Sequence, residues 1–239
     1  MRERTKGLKI AIFNSLEEYN YEISAQKSSS SNSPQIRPQR VLLDFDGEEN
    51  ILIENCGYMG FPLSYNSVPF EAALIDGRYA GQTDFMIELI TEKIRENFAD
   101  YNVEIYSTHE GIIPEAPFST IYFAHVEREG ALGAAECVDE YNEISGQNDE
   151  AIIYLDSFRY YNIFSLSPTD MSIIIADVAS HESGHLLGLW HTDDIGDIMN
   201  TGAVPFVDAE FTRANLKSET FGFPFGYQDS PKKLIWTVG

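Results

Sequence analysis

Apolar residues recur at helical spacing in two long segments of the chain. In the first, DFMIELITEKIRENF (84–98), they lie largely on one face, and Asp84 can cap the start. The positions on that face are Phe85, Ile87, Leu89, Ile90, Ile94 and Phe98. The second segment, MSIIIADVASHESGHLLGL (171–189), follows Pro168-Thr169-Asp170, a good N-terminal helix signal. The pattern therefore predicts two long helices.

Short runs rich in β-branched and apolar residues predict strands around these helices. The runs are VLLDF (41–45), VEIYST (103–108), STIYFAHV (119–126), ALGAAECV (131–138) and EAIIYLD (150–156). Residues 47–82 are rich in Gly, Pro, Asn and Ser and predict irregular surface structure. FTRANLKSETFG (211–222) predicts a short helix with Thr212 as its cap. This mixture of strands and helices indicates an α+β or α/β fold.

The segment before the first predicted strand has a different composition. SAQKSSSSNSPQIRPQR (24–40) holds almost no apolar residues and predicts a linker. We therefore expect a boundary near residue 39, with an N-terminal extension at 1–39 and one main domain at 40–239. One hypothesis is that the extension is the remnant of a propeptide that blocks a cleft, in which case deleting it changes activity.

Charge and hydropathy narrow the classes of function. The chain of 239 residues carries 38 acidic and 16 basic residues, for a net charge of −22, so we expect no nucleic-acid partner. There is no run of about 18 apolar residues, and therefore no transmembrane helix is predicted. The apolar run Ile10 to Phe13 is too short for a signal-peptide core. We expect either a cytoplasmic protein or a secreted one whose signal peptide is absent from this chain.

Three of the five histidines lie within SHESGHLLGLWH (180–191). His181 and His185 are four residues apart, so on a helix they lie one turn apart on nearly the same face and place ring nitrogens on one Zn²⁺ ion. Glu182 lies to the side of this pair. From there it reaches a water on the metal without being a ligand, which is the position of a general base.

His191 joins the pair only if the chain changes direction. On a continued helix it would lie roughly 15 Å beyond His181 along the axis. Gly188 adopts the left-handed conformation that ends a helix at little cost, so the spacing predicts a break there and a third ligand from the returning chain. Three neutral histidines leave the fourth zinc position to water, which indicates hydrolysis of a peptide bond rather than a structural zinc site.

The pattern H-E-x-x-H-x-x-G-x-x-H, followed by Asp197-Ile198-Met199-Asn200, resembles the metzincin clan of zinc endopeptidases. Met199 comes eight residues after His191, and this short spacing is most similar to the matrixin branch, in particular to bacterial secreted matrixin-like peptidases. The resemblance covers roughly residues 40–222. It implies that Met199 lies under the metal as a hydrophobic support. Thr201 stands where other branches carry a tyrosine ligand, so no such ligand is expected.

The resemblance also implies a fold and a substrate. The expected fold is α+β: a twisted, mostly parallel sheet with an antiparallel edge strand, two long helices, and a C-terminal subdomain with a short helix. The edge strand at 131–136 would bind an extended peptide through its backbone, chiefly by Leu132, Gly133, Ala134 and Ala135. TGAVPFVDAEF (201–211) would form a wall of the pocket after the cut bond. We expect a secreted, monomeric peptidase with a protein or peptide substrate.

Two other functions stay open at this point. One is a metal-binding but catalytically silent binding module, which the intact Glu182 disfavours because such a module needs no base beside the metal. The other is an intracellular zinc hydrolase of narrow peptide specificity, which agrees with the missing signal peptide.

The two cysteines and three acidic residues are further candidates. Cys56-Gly57 resembles the cysteine switch of matrixin propeptides but lacks its flanking residues; a disulfide with Cys137 and free buried thiols are the alternatives. Asp44, Asp46 and Glu48 are candidate Ca²⁺ ligands, although loop caps or pairing with arginine explain them better.

The remaining histidines and two short runs have simpler explanations. His109 and His125 show no partner pattern and fit surface or satisfied core positions. DDIGD (193–197) either orients the histidines as a set of hydrogen-bond acceptors or only forms a turn. The aromatic run FRYYNIF (158–164) fits packing better than recognition.

Overall fold

A five-stranded sheet lies at the centre of the described structure. The computed structural model describes residues 38–53, 63–139, 142, 149–201, 209–217 and 226–239. Within these ranges the strands are β1 (Gln39–Asp44), β2 (Ile51–Ile53), β3 (Leu63–Tyr65), β4 (Val103–Ser107), β5 (Ser119–Ala124), β6 (Gly133–Ala135), β7 (Glu150–Tyr154), β8 (Arg213–Asn215) and β9 (Tyr227–Asp229). The order in the main sheet is β4-β1-β5-β7-β6. β2 pairs with β3, and β8 with β9.

The main sheet is parallel except at one edge. β4, β1, β5 and β7 run parallel, whereas β6 runs antiparallel to β7. Successive residues of β7 point to opposite faces: Ile153 belongs to the large core, while Ile152 and Tyr154 belong to a second cluster. Both faces are therefore covered, as parallel strands require. The expected α+β fold with an antiparallel edge strand agrees with this sheet.

Four α-helices lie in the described ranges: α1 (Ala72–Ile75), α2 (Thr83–Asn97), α3 (Pro168–Leu186) and α4 (Ser230–Thr237). Both long helices are confirmed, and they pack against each other. α3 begins with a capping box, because Ser167 Oγ accepts the Asp170 N–H at 3.1 Å and the Asp170 carboxylate accepts the Ser167 N–H at 3.1 Å. On α2, Met86 is buried, whereas Phe85, predicted on the apolar face, is 45% exposed.

The C-terminal part corrects the sequence interpretation. The prediction of a helix at 211–222 is wrong for the described residues 211–217, because residues 213–215 form β8. Ala214 alone of these three is buried, which is the period of a strand, and β9 supplies the hydrogen-bonding partner. The short C-terminal helix is α4, whose cap Asp229 accepts the Lys232 N–H at 3.2 Å. Similarly, the segment predicted to be irregular at 47–82 contains β2, β3 and α1.

The predicted domain boundary lies at the start of the described chain. All the described residues belong to one unit, 36–239, and β1 begins at Gln39. Residues 1–37 lie outside the described ranges, so the extension at 1–39 stays a prediction. Among the described residues, no helix has the length and apolar character to cross a membrane.

Candidate metal centre

Three histidine rings meet at the C-terminal end of α3. His181 and His185 lie in its last two turns, and His191 lies in the segment that follows. The Nε2 atom of His185 is 3.0 Å from that of His181 and 3.0 Å from that of His191. Among the described residues, this is the group of His, Cys, Asp and Glu side chains whose ligand atoms all lie within 4.8 Å of one another.

A tight turn brings His191 back to the helix. α3 ends at Leu186, and Gly188 has φ 90°. The Gly188 N–H donates to the His185 carbonyl at 2.9 Å, and the Leu189 N–H donates to the Gly184 carbonyl at 2.8 Å. These two bonds form the Schellman motif, which needs a residue with positive φ and therefore favours glycine. Because the chain reverses here, the third histidine reaches the other two.

Hydrogen bonds fix the tautomers of two rings. Nδ1 of His181 lies 2.7 Å from the Ile198 carbonyl oxygen, and Nδ1 of His185 lies 2.8 Å from the Leu189 carbonyl oxygen. A carbonyl oxygen only accepts, so each Nδ1 carries the proton. In a neutral ring the Nε2 atom then presents a lone pair, and the two lone pairs face each other at 3.0 Å.

Burial keeps these two rings neutral. It lowers the pKa of His181 to about 4, with His191 adding to the effect, and it lowers the pKa of His185 well below the ordinary value. Neutral imidazole nitrogen is a ligand of zinc, and the nitrogens of a tetrahedral zinc site lie about 3.3 Å apart. Tautomer, charge and spacing therefore all fit a Zn²⁺ ion held by the triad.

Glu182 lies between α3 and the edge strand. Its side chain is buried, and it lines the same cleft as His181 and His191. Burial raises the pKa of Glu182 to about 8, although a hydrogen bond from the Ala135 N–H opposes this rise. A carboxyl with a raised pKa next to a metal centre is suited to hold and release a proton near neutral pH.

Met199 packs against the helix that carries the histidines. Its side chain is fully buried, and its sulfur would lie 2.5 Å from a Cβ placed on Gly184. Residues 181, 184 and 185 share one face of a helix, so this contact lies on the histidine-bearing face. The close approach requires glycine at 184.

Asp197 fixes the turn that leads to Met199. Its Oδ1 accepts the Met199 N–H at 3.0 Å, and its side chain also lies beside Thr192 and Thr212. Burial raises the pKa of Asp197, while the Met199 N–H and the neighbouring Thr192 and Thr212 oppose the rise. The carbonyl of the intervening Ile198 accepts a hydrogen bond from His181 Nδ1–H, and the Thr192 N–H donates to the Met199 carbonyl at 2.9 Å. The turn that Asp197 stabilises is therefore connected to His181 and to the segment that follows His191. The sequence pattern did not separate Asp197 from its acidic neighbours; its spacing two residues before Met199 is the one local signal.

The edge strand offers only alternate residues to a ligand. The Tyr154 N–H donates to the Leu132 carbonyl, and the Glu136 N–H donates to the Glu150 carbonyl. By the alternation of antiparallel pairs, Leu132 and Ala134 direct their backbone groups to β7, while Gly133 and Ala135 direct theirs away from the sheet. Of the four predicted substrate-binding residues, Gly133 and Ala135 therefore carry the outward-facing groups.

The cleft beside the histidines has a volume of about 620 Å³. One wall is formed by aromatic residues of the 3₁₀ segment Leu155–Phe164, namely Tyr160, Tyr161 and Phe164. Phe158 of this run is fully buried and Tyr161 packs partly against the core, which agrees with the packing expected of the run. Nothing in the local sequence shows that Tyr160, Tyr161 and Phe164 line a cleft, because core aromatics and cleft aromatics look alike in sequence. Thr201 and Ala209 also line the cleft, whereas the rest of the predicted wall, 202–208, lies outside the described residues.

The other candidate residues have structural partners. Asp44 Oδ1 accepts the Asp46 N–H at 2.9 Å, which is the loop cap favoured over a calcium site. His125 is a satisfied core histidine, and His109 is exposed. Cys137 is disulfide-bonded, and Cys56 lies outside the described residues.

Several solved structures match this chain. The crystal structure of archaemetzincin from Methanopyrus kandleri matches with a TM-score of 0.33 and 14% sequence identity, over 70% of this chain and 82% of that chain. No family model and no curated protein matches the sequence. At this level the similarity assigns no residue a role.

Proposed function

We propose that this chain is a zinc-dependent endopeptidase with Glu182 as its general base. The observation that carries the proposal is the convergence of the Nε2 atoms of His181, His185 and His191 beside a cleft that His181, His191 and Glu182 line. Two of these rings have their Nδ1 protons committed to carbonyl oxygens, so their lone pairs point at one another. A cation between them removes that repulsion.

Each group of the site has a separate role in the proposed peptide hydrolysis. Zinc, when bound, supplies a Lewis acid that lowers the pKa of water and polarises the scissile carbonyl. The Glu182 carboxylate accepts a proton from the attacking water and passes it to the nitrogen of the leaving amine. The carbonyls of Ile198 and Leu189 keep the histidines in the tautomer that presents Nε2.

The cleft suits an extended peptide. β6 is the edge strand, and Gly133 and Ala135 turn backbone groups outward, where a substrate strand pairs with them by β-augmentation. The aromatic wall formed by Tyr160, Tyr161 and Phe164 contacts apolar substrate side chains. Within the metzincin clan, the short spacing from His191 to Met199 favours the matrixin-like branch, and with it secretion.

The test couples metal content with cleavage. Wild type, Glu182→Gln and the exposed control Glu88→Gln on α2 are purified, their zinc per chain is measured, and cleavage of an unbiased peptide mixture is followed by mass spectrometry. We expect about one zinc in each protein and a loss of at least about a hundredfold in cleavage rate for Glu182→Gln alone. Failure of the zinc-loaded wild type to cut any peptide contradicts the peptidase proposal and favours a binding module. Absence of bound metal contradicts the zinc site itself.

A further inference from the structure

Gly133 touches the carboxyl group that the proposed reaction uses. A Cβ placed on Gly133 would lie 2.6 Å from Oε1, 2.8 Å from Cγ and 3.0 Å from Cδ of Glu182. The backbone of Gly133 is not in the left-handed region, so its conformation does not demand glycine. What demands it is the space that Glu182 occupies.

The same strand holds this carboxyl at a second point. The Ala135 N–H donates a hydrogen bond to Glu182. This N–H is available because the antiparallel register turns Ala135 away from β7. The Glu182 side chain therefore lies against the Gly133 backbone and is tied to Ala135, two residues along the same strand.

We propose that Gly133 is a positioning residue for Glu182. Its missing side chain lets the carboxyl lie flat against β6, and the Ala135 N–H then sets its orientation toward the histidines. The effect of this contact on catalysis rests on the proposed function, whereas the contact itself does not. A consequence is that a bound peptide has the Gly133 N–H and the carbonyls of Gly133 and Ala135 to pair with, while the Ala135 N–H serves Glu182.

A purely structural explanation makes a different prediction. If Gly133 only lets β6 approach α3, then Gly133→Ala lowers the free energy of unfolding by the same amount whichever side chain is at position 182. If Gly133 makes room for the Glu182 carboxyl, removing that side chain removes the cost. A double-mutant cycle separates the two.

The experiment measures zinc content, urea unfolding and cleavage kinetics for four proteins: wild type, Gly133→Ala, Glu182→Ala and the double variant. Gly77→Ala serves as the matched control, because a Cβ there meets nothing within 4 Å and the backbone φ is ordinary. We expect Gly133→Ala to lower the urea midpoint in the presence of Glu182 and to leave it unchanged in Glu182→Ala. In the wild-type background we expect kcat to fall about a hundredfold, as for a misplaced catalytic group, with KM and zinc content nearly unchanged.

Each outcome decides the inference. Equal midpoint shifts in both backgrounds overturn it, as does a Gly133→Ala variant that keeps its kcat. If Gly133→Ala alone does not fold but the double variant does, the inference stands; if neither folds, the cost does not come through Glu182 and the inference fails. A wild type that cleaves no peptide overturns the proposed function, while the stability cycle still tests the contact.

Discussion

Two buried side-chain clusters, the histidine triad and the group that His125 forms with Asp156 and the Glu71 N–H, differ in how their histidine ring nitrogens are used. His125, whose side chain is 4% exposed, has Nδ1 3.0 Å from the Asp156 carboxylate, and its Nε2 accepts the Glu71 N–H at 2.9 Å. Both nitrogens thus have an ordinary hydrogen-bond partner. In the triad, Nδ1 of His181 and of His185 is also satisfied, but their Nε2 lone pairs face each other.

This difference separates a structural histidine from a candidate metal ligand. Burial is similar in the two places, so burial alone does not identify a metal site. The useful quantity is the count of donors and acceptors at each ring, because a buried lone pair without a donor is costly. In the triad a bound cation would remove that cost, whereas around His125 it never arises.

The sharpest way to break this comparison is to remove one histidine from each cluster. His185 lies between the other two ligands, so we expect His185→Ala to weaken zinc binding by about a thousandfold or more, since two imidazoles remain. Competition with a chromophoric chelator measures the affinity. A His185→Ala protein that keeps wild-type affinity contradicts the metal assignment.

His125→Ala is the matched control for that experiment. We expect it to keep zinc binding within about threefold, while its free energy of unfolding falls by about 2 kcal/mol, because the Glu71 N–H loses its acceptor and Asp156 loses a donor. Loss of zinc in this variant as well would mean that the two clusters do not act separately.

The buried carboxyl of Asp149 also has an oxygen without a hydrogen-bond partner among the described residues, and here the consequence concerns proton binding. Asp149 is buried, and its Oδ1 has no hydrogen-bond partner in the part of the chain that the structure describes. Burial, followed by the nearby charges of Glu136 and Asp139, raises the pKa of Asp149 to about 7, although Ser119 opposes the rise. This carboxyl therefore takes up a proton more readily than an ordinary aspartate does.

The folded-state pKa of Asp149 is above its unfolded value, so the protein binds the proton more tightly when folded. The stability that this tighter proton binding contributes is fully present below about pH 4 and is lost as the pH rises through 7. We therefore expect the free energy of unfolding of the wild type to fall by about 2 kcal/mol more between pH 5 and pH 8 than that of Asp149→Asn. Urea unfolding of both proteins at several pH values measures the difference. Parallel pH profiles would show that Asp149 is ionised throughout.

The smallest expected effect concerns the support behind the histidines. Asp197→Ala frees the Met199 N–H and loosens the turn whose Ile198 carbonyl orients His181. We expect zinc affinity to fall about tenfold, as for other groups behind metal ligands. Asp193→Ala, which removes an exposed acid four residues earlier, controls for loss of charge. Equal losses in the two variants would assign the effect to long-range charge instead of to the turn.

Local rules in the sequence determined the elements that carry the candidate metal centre. Helical periodicity predicts α2 and α3, and short β-branched runs predict the strands of the main sheet, because these patterns act over a few residues. The spacing of His181, His185 and Gly188 likewise predicts three histidines brought together, since one helical turn and one glycine turn suffice to do it.

Only the tertiary structure decided what surrounds the histidines. Residues 213–215 form a strand because β9 pairs with them, and Tyr160 and Phe164 line the cleft instead of the core because of where their segment packs. The contact between Gly133 and Glu182 joins β6 to α3, and β7 lies between these two elements along the chain. No local sequence pattern therefore contains this contact. Such contacts depend on which distant segments meet, and the free energy that selects them comes from burial and hydrogen bonding of the whole domain, not from any one stretch of residues.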